Sequence, residues 1–155
     1  MAQTDYGFMC RQLDALTDGV TERVSNLANA ASLLYHTLEE INWAGFYLLR
    51  GDTLALGPFM GRPACVRIPL GKGVCGTAAQ RLETLVVPDV HRFPGHIACD
   101  EASRSEIVVP MSVGGKLWGV LDIDSPVPER FTDADRQGLE AFARALERAL
   151  EQGTN

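Results

Sequence analysis

The stretch EIVVPMSVGGKLWGVLDID, residues 106–124, decides the fold. Two runs rich in branched and aromatic residues flank Ser112-Val113-Gly114-Gly115. A double glycine between such runs signals a β-hairpin, because a tight two-residue turn needs positive φ at its centre. Successive strand side chains point to opposite sides of a sheet, so alternation assigns faces. In the second run Trp118, Val120, Asp122 and Asp124 share one face, while Leu117, Leu121 and Ile123 take the other. Two carboxylates on a face that also holds Trp118 and Val120 are costly if covered and unpartnered.

Working outward, WAGFYLL (43–49), TLAL (53–56), ACVRIPL (64–70) and TLVV (84–87) have the same strand character and are bounded by Gly, Pro and Asp. Trp43, Gly45 and Tyr47 fall on one face, and in ACVRIPL Cys65 and Arg67 oppose Val66, Ile68 and Leu70. The sheet is therefore expected to have one fully apolar face. The other carries aromatics, carboxylates and a thiol under a loop running from Val87 to Ser105.

Helices flank the strands. Val20, Val24, Leu27, Ala28, Ala31, Leu34, Tyr35 and Leu38 recur at the helical period, and Met9, Cys10, Leu13 and Leu16 form a shorter stripe over Tyr6 to Leu16. Thr132 and Asp133 open a long amphipathic helix carrying Leu139, Phe142, Ala143, Leu146 and Leu150 before Gly153. With no regular strand-helix alternation, the pattern predicts an α+β fold with a mainly antiparallel sheet. The expected layout is one domain over 1–155, with N-terminal helices 4–39, sheet and site 42–125, and C-terminal helix 132–151.

Composition narrows the function. At 155 residues and 46% hydrophobic, the chain can bury one sizeable core. A net charge of −6 with scattered basic residues argues against nucleic acid. Neither a signal peptide nor an eighteen-residue apolar run is present, so no membrane association and a cytoplasmic location are expected. In such a compartment the four cysteines are buried, metal-bound or catalytic rather than structural staples.

Cys65, Cys75 and Cys99 form C-x9-C-x23-C, whereas Cys10 lies on the first helical stripe and reads as core packing. Cys75 follows Gly71-Lys72-Gly73 at a helix opening, where the helix dipole is expected to lower a thiol pKa. Each cysteine alone has a plain alternative as a small buried hydrophobe. A zinc site would recruit His91 and His96, but no closely spaced thiol pair of the kind structural zinc sites use exists, and the histidines read as loop hydrogen-bonders. No metal is expected. Glu106, Asp122 and Asp124 are either a solvated face or a cluster in which one carboxyl holds a proton at neutral pH. A protonated carboxyl beside a thiol and an aromatic face suits a small polar substrate that must be protonated as sulfur attacks it.

The ordered stretches INWAGFYLL, GPFMGRPACVRIPLGKGVCGTAA, VPDVHRFPGHIACDEASRSEIVVP and GVLDIDSP, between Ile41 and Pro126, resemble the free methionine-(R)-sulfoxide reductases, which are GAF-domain enzymes. The resemblance implies that Cys99 is the nucleophile, Cys65 the principal resolving thiol and Cys75 a third redox cysteine able to resolve or relay. It implies substrate-binding roles for Glu106, Asp122 and Asp124, and an aromatic wall made by Trp43 and Tyr47. The implied substrate is free methionine-R-sulfoxide, with no bound cofactor and with thioredoxin, itself recharged by an NADPH-dependent reductase, as external dithiol. The flanking helices offer surfaces on which a homodimer could pack. The alternative from another class is a GAF small-molecule or thiol redox sensor that binds without turnover.

Overall fold

The computed structural model describes residues 3–96 and 101–154. The elements run α1 (Tyr6–Thr17), α2 (Arg23–Thr37), β1 (Trp43–Arg50), β2 (Thr53–Gly61), β3 (Arg67–Pro69), α3 (Gly73–Arg81), β4 (Leu85–Val87), β5 (Ser105–Val113), β6 (Lys116–Ser125) and α4 (Asp133–Glu151). Six strands form one antiparallel sheet in the order β3-β2-β1-β6-β5-β4. The hairpin forms where the double glycine places it: Val113 pairs with Lys116, and Gly114 and Gly115 take φ of 62° and 77°. No helix among the described residues is long and apolar enough to cross a membrane.

The central strands sort their side chains onto two faces. Ala44, Phe46, Ile107, Val109, Met111, Leu121 and Ile123 join the apolar stripes of α1, α2 and α4 in the main core. Trp43, Tyr47, Val108 and Val120 point the other way and pack with Val74, Cys75 and Ala78 of α3 and with Val90. Helix α3 therefore roofs part of the second face.

Some local expectations need correction. Trp118 does not share a face with Val120 and the carboxylates. Met111 pairs with Gly119 but Ser112 with Leu117, which leaves Trp118 as the extra residue of a β-bulge. The bulge turns its ring to the helix-side core, under the Arg23 guanidinium 6.0 Å from the ring centroid, and moves Leu117 to the opposite cluster. ACVRIPL forms a strand only over Arg67–Pro69, on the sheet's edge, so Cys65 precedes it and Val66 lies exposed. Strand β2 continues past Leu56 through Gly57-Pro58 to Gly61, because the pairing slips between Gly45↔Phe59 and Tyr47↔Leu56 and absorbs the proline in an irregularity. Helix α2 begins at Arg23 rather than at Val20, since Val20 accepts the Asn26 side-chain hydrogen bond from outside the helix.

A buried polar junction ties the helices together. Thr132 and Asp135 form a reciprocal capping box at the start of α4. The Asp135 carboxylate also pairs with Arg130 at 3.0 Å and accepts the Tyr6 hydroxyl of α1 at 2.6 Å. Arg130 in turn donates to the Glu39 carbonyl after α2, 2.9 Å away. Both Arg130 and Asp135 are buried.

Removing one member of a buried ion pair leaves the other charge uncompensated, at about 3–5 kcal/mol. Asp135→Ala is expected to lower unfolding stability by about that amount, whereas Tyr6→Phe, which removes one hydrogen bond, lowers it by about 1 kcal/mol. Urea denaturation of the two variants measures both. Equal losses would show that the ion pair is not the dominant tie.

Candidate active site

Register across the three central strands assembles the polar face. One row of directly opposed residues reads Trp43, Asp124, Glu106, and the next reads Gly45, Asp122, Val108. These rows place three carboxyls side by side on the face opposite the main core. Gly45 is required there, because a β-carbon at this position would stand 2.8 Å from the Trp43 ring and drive into Phe59. With that space left open, Trp43 stacks between Tyr47 and Phe59, with ring centroids 5.9 and 5.2 Å away.

A small cavity lies under α3. Trp43, Tyr47, Cys75, Glu106, Asp122 and Asp124 line it, together with Ala64, Ile68, Gly73, Val74, His96 and Ser103. Six of the eight residues expected at the site thus meet in one place. Cys65 sits just behind Ala64, packs against the same cluster and is disulfide-bonded. Cys99 lies outside the described residues. Cys10, a free thiol, is half-buried at the margin of the helix-side core.

The electrostatics of the cavity follow from burial. Glu106 and Asp122 are 7% and 5% exposed. Burial, then the charges of Asp122 and Asp124, push the Glu106 carboxyl well above the usual range. Burial raises Asp122 too, but hydrogen bonds from Glu106, Cys75 and Asp124 pull it back toward its ionised form. The shared proton therefore belongs on Glu106 and the charge on Asp122. The Asp122 Oδ1 atom is buried and has no hydrogen-bond partner among the described residues.

Cys75 departs from its expected chemistry. It occupies the first turn of α3, yet its thiol is held well above its ordinary pKa, by burial first and then by Asp122 and Glu106. The dipole of a nine-residue helix does not overcome desolvation beside anions. The neutral S–H points to Glu106 Oε2 at 3.9 Å. The donor atoms of Cys75, Glu106 and Asp122 lie within 4.8 Å of one another, so among the described residues this trio is where a cation would find three ligands.

His96 and Ser103 join the cavity although no sequence pattern singled them out for it. Both flank Cys99 in the same loop, and that proximity was the available signal. Burial, with His91 nearby, lowers the His96 pKa and favours the neutral ring. Ser103 Oγ accepts from Asn42 Nδ2 at 3.1 Å, which pins the loop to the start of β1.

A curled antiparallel sheet with helices on one face and a roofed polar cavity on the other defines a GAF domain, and the GAF domain family matches residues 12–150. Free methionine-R-sulfoxide reductase of Escherichia coli is 56% identical over 145 residues, covering 94% of this chain and 88% of that protein. The Saccharomyces cerevisiae protein of the same name is 49% identical over 144 residues, covering 88% and 80%. The structure of the Neisseria meningitidis free methionine-R-sulfoxide reductase in complex with its substrate superposes with a TM-score of 0.91 at 41% identity, covering 98% of this chain and 93% of that one. The chain belongs to the GAF-domain family of free methionine-R-sulfoxide reductases.

Because the folded-state pKa of Glu106 is raised above its unfolded value, the native state binds the extra proton and stability falls as pH rises from about 4 toward that raised value. Glu106→Gln keeps a neutral donor and removes this cost. The variant is expected to be more stable than the parent at pH 8, with the gain vanishing near pH 4. Calorimetric scans at both pH values check this. A gain independent of pH would refute the assignment of the proton to Glu106.

Proposed function

We propose that the chain reduces free L-methionine-R-sulfoxide to L-methionine, with Cys99 as nucleophile and Cys65 as the principal resolving thiol. The observation that carries the reading is one cavity in which the buried carboxyls of Glu106 and Asp122 meet Asp124 and the Trp43 ring, with Asp122 Oδ1 unpartnered among the described residues and burial favouring the neutral form of Glu106. Cys65 is disulfide-bonded while Cys10 and Cys75 are free, which agrees with Cys65 as the thiol that enters the oxidised state.

The chemistry divides into two halves. Sulfoxide sulfur is electrophilic, but its oxygen leaves only when protonated, and Glu106 is the acid suited to supply that proton. Asp122 and Asp124 receive the substrate ammonium, which a methionine residue inside a protein lacks. Trp43 faces the S-methyl group. Attack by Cys99 releases methionine and leaves the oxygen on Cys99 as a sulfenic acid. Cys65 then displaces that hydroxyl, so a disulfide and one water form, and an external dithiol such as thioredoxin restores both thiols by exchange. Cys75, neutral and buried, holds Glu106 in place through its S–H and is not the first resolver.

Reduced protein given free methionine-R-sulfoxide, thioredoxin, thioredoxin reductase and NADPH is expected to consume NADPH, and Cys99→Ser to abolish consumption. Glu106→Gln, which cannot transfer a proton, is expected to lower kcat/KM by about 10²–10⁴-fold. Tight binding of the sulfoxide without NADPH loss would instead mark a sensor.

A further inference from the structure

The segment between β2 and β3 carries Cys65 and has no regular secondary structure. Its main chain is held by three hydrogen bonds from the sheet. Trp43 Nε1 donates to the Arg62 carbonyl at 3.1 Å, the Tyr47 hydroxyl donates to the Cys65 carbonyl at 2.9 Å, and the Leu56 amide donates to the Val66 carbonyl at 2.9 Å. Two of these donors are side chains from the cavity face of β1, each 2% exposed and stacked on one another. Tyr47 thus spends its one hydroxyl hydrogen on the backbone of Cys65.

We propose that Tyr47 is a positioning residue for the second half of the reaction, fixing Cys65 where its sulfur can reach the sulfenic acid. The inference rests on the reading of Cys65 as resolver. In that step the Cys99 S–O bond breaks, the S–S bond forms, and the Cys65 thiol proton leaves with the hydroxyl as water. Nothing in it involves the substrate, which has already departed as methionine. The bond is constant across the working pH range, because burial and the nearby carboxylates keep the phenol protonated. Backbone capture suits this task, since a bond to the Cys65 carbonyl holds the main chain and leaves the sulfur free to move between thiol and disulfide. Misplacing a reacting group by about 1 Å can slow a step by about 10²-fold, so one hydrogen bond is enough to matter.

A single turnover separates the two halves. Fully reduced protein is mixed with free methionine-R-sulfoxide in the absence of any dithiol, then quenched at intervals. Methionine is quantified by chromatography, the disulfide by intact mass, and sulfenic acid by dimedone trapping. In the parent protein the disulfide is expected to keep pace with methionine. In Tyr47→Phe, which retains the stacked ring, the ratio of methionine release to disulfide formation is expected to rise by about tenfold or more, with dimedone adduct accumulating on Cys99. Trp43→Phe, which removes the donor to Arg62, serves if Tyr47→Phe fails to fold; because Trp43 also faces the substrate, it is read by slower conversion of the trapped Cys99 sulfenic acid to disulfide rather than by the ratio. A ratio unchanged from the parent in Tyr47→Phe, or an unslowed conversion in Trp43→Phe where Tyr47→Phe does not fold, overturns the proposal. Cys65→Ser tests the underlying reading on its own: a disulfide formed at the parental rate without Cys65 removes both the resolver and Tyr47's role.

Discussion

The pairing of β6 between β1 and β5 is the constraint on which the site depends. Because Asp122 stands opposite both Gly45 and Val108, and Asp124 opposite both Trp43 and Glu106, two strand registers place all three carboxyls of the cavity. A slip of one residue would send Asp122 and Asp124 into the helix-side core and bring Leu121 and Ile123 into the cavity. The apolar face guards against that slip. Leu121, Ile123, Ile107 and Phe46 each lose nearly all contact with water against three helices, at about 1.5–3 kcal/mol per side chain. The large core therefore specifies the register, and the register places carboxyls that would not choose to be adjacent.

Adjacent carboxyls are costly, and here that cost shapes the chemistry. Directly opposed like charges destabilise a sheet, and burial beneath α3 denies them water. The cluster relieves both penalties by retaining a proton, which it keeps on Glu106. Cys75 contributes to the same solution as a neutral donor rather than as an exposed thiolate. A ligand bearing a cation would be welcomed by Asp122, and a ligand bearing a basic oxygen by Glu106. One buried cluster thus holds opposite offers a few ångströms apart.

Much of this was legible in the sequence where a feature is local or periodic. The double glycine, the presence of the helices, the cap at Thr132 and the shared face of Trp43 and Tyr47 each follow from spacing within one element, although Leu16, Val24 and Ala28 of the expected helical stripes lie exposed. The carboxyl cluster was also legible, since alternation alone puts Asp122 and Asp124 together. Alternation failed at Trp118, because a bulge shifts the phase and leaves no mark in the residue types. The Cys75 pKa was misread for a related reason. The helix start is visible in Gly73 to Ala79, but the desolvation that outweighs the dipole comes from strands some thirty to fifty residues away in sequence. Edge position explains Val66, whose exposure depends on β3 having a neighbour on one side only. The hydroxyl of Tyr47, grasping a carbonyl eighteen residues on, could be found only in three dimensions.

The junction around Asp135 also orders events in time. Tyr6 and Asp135 are 129 positions apart, and the Arg130 that accompanies Asp135 reaches back to Glu39 across 91. A chain made from its N-terminus emerges at about 5–20 residues per second, so α1 waits several seconds for the helix against which it packs. During that interval the segments that carry Trp43, Cys65 and Cys75 exist without β5 and β6, and the two thiols lack their carboxyl neighbours. The nascent chain is therefore open to oxidants at the cysteines that the finished molecule shelters, and its safe passage depends on the reducing power of the compartment in which it is made.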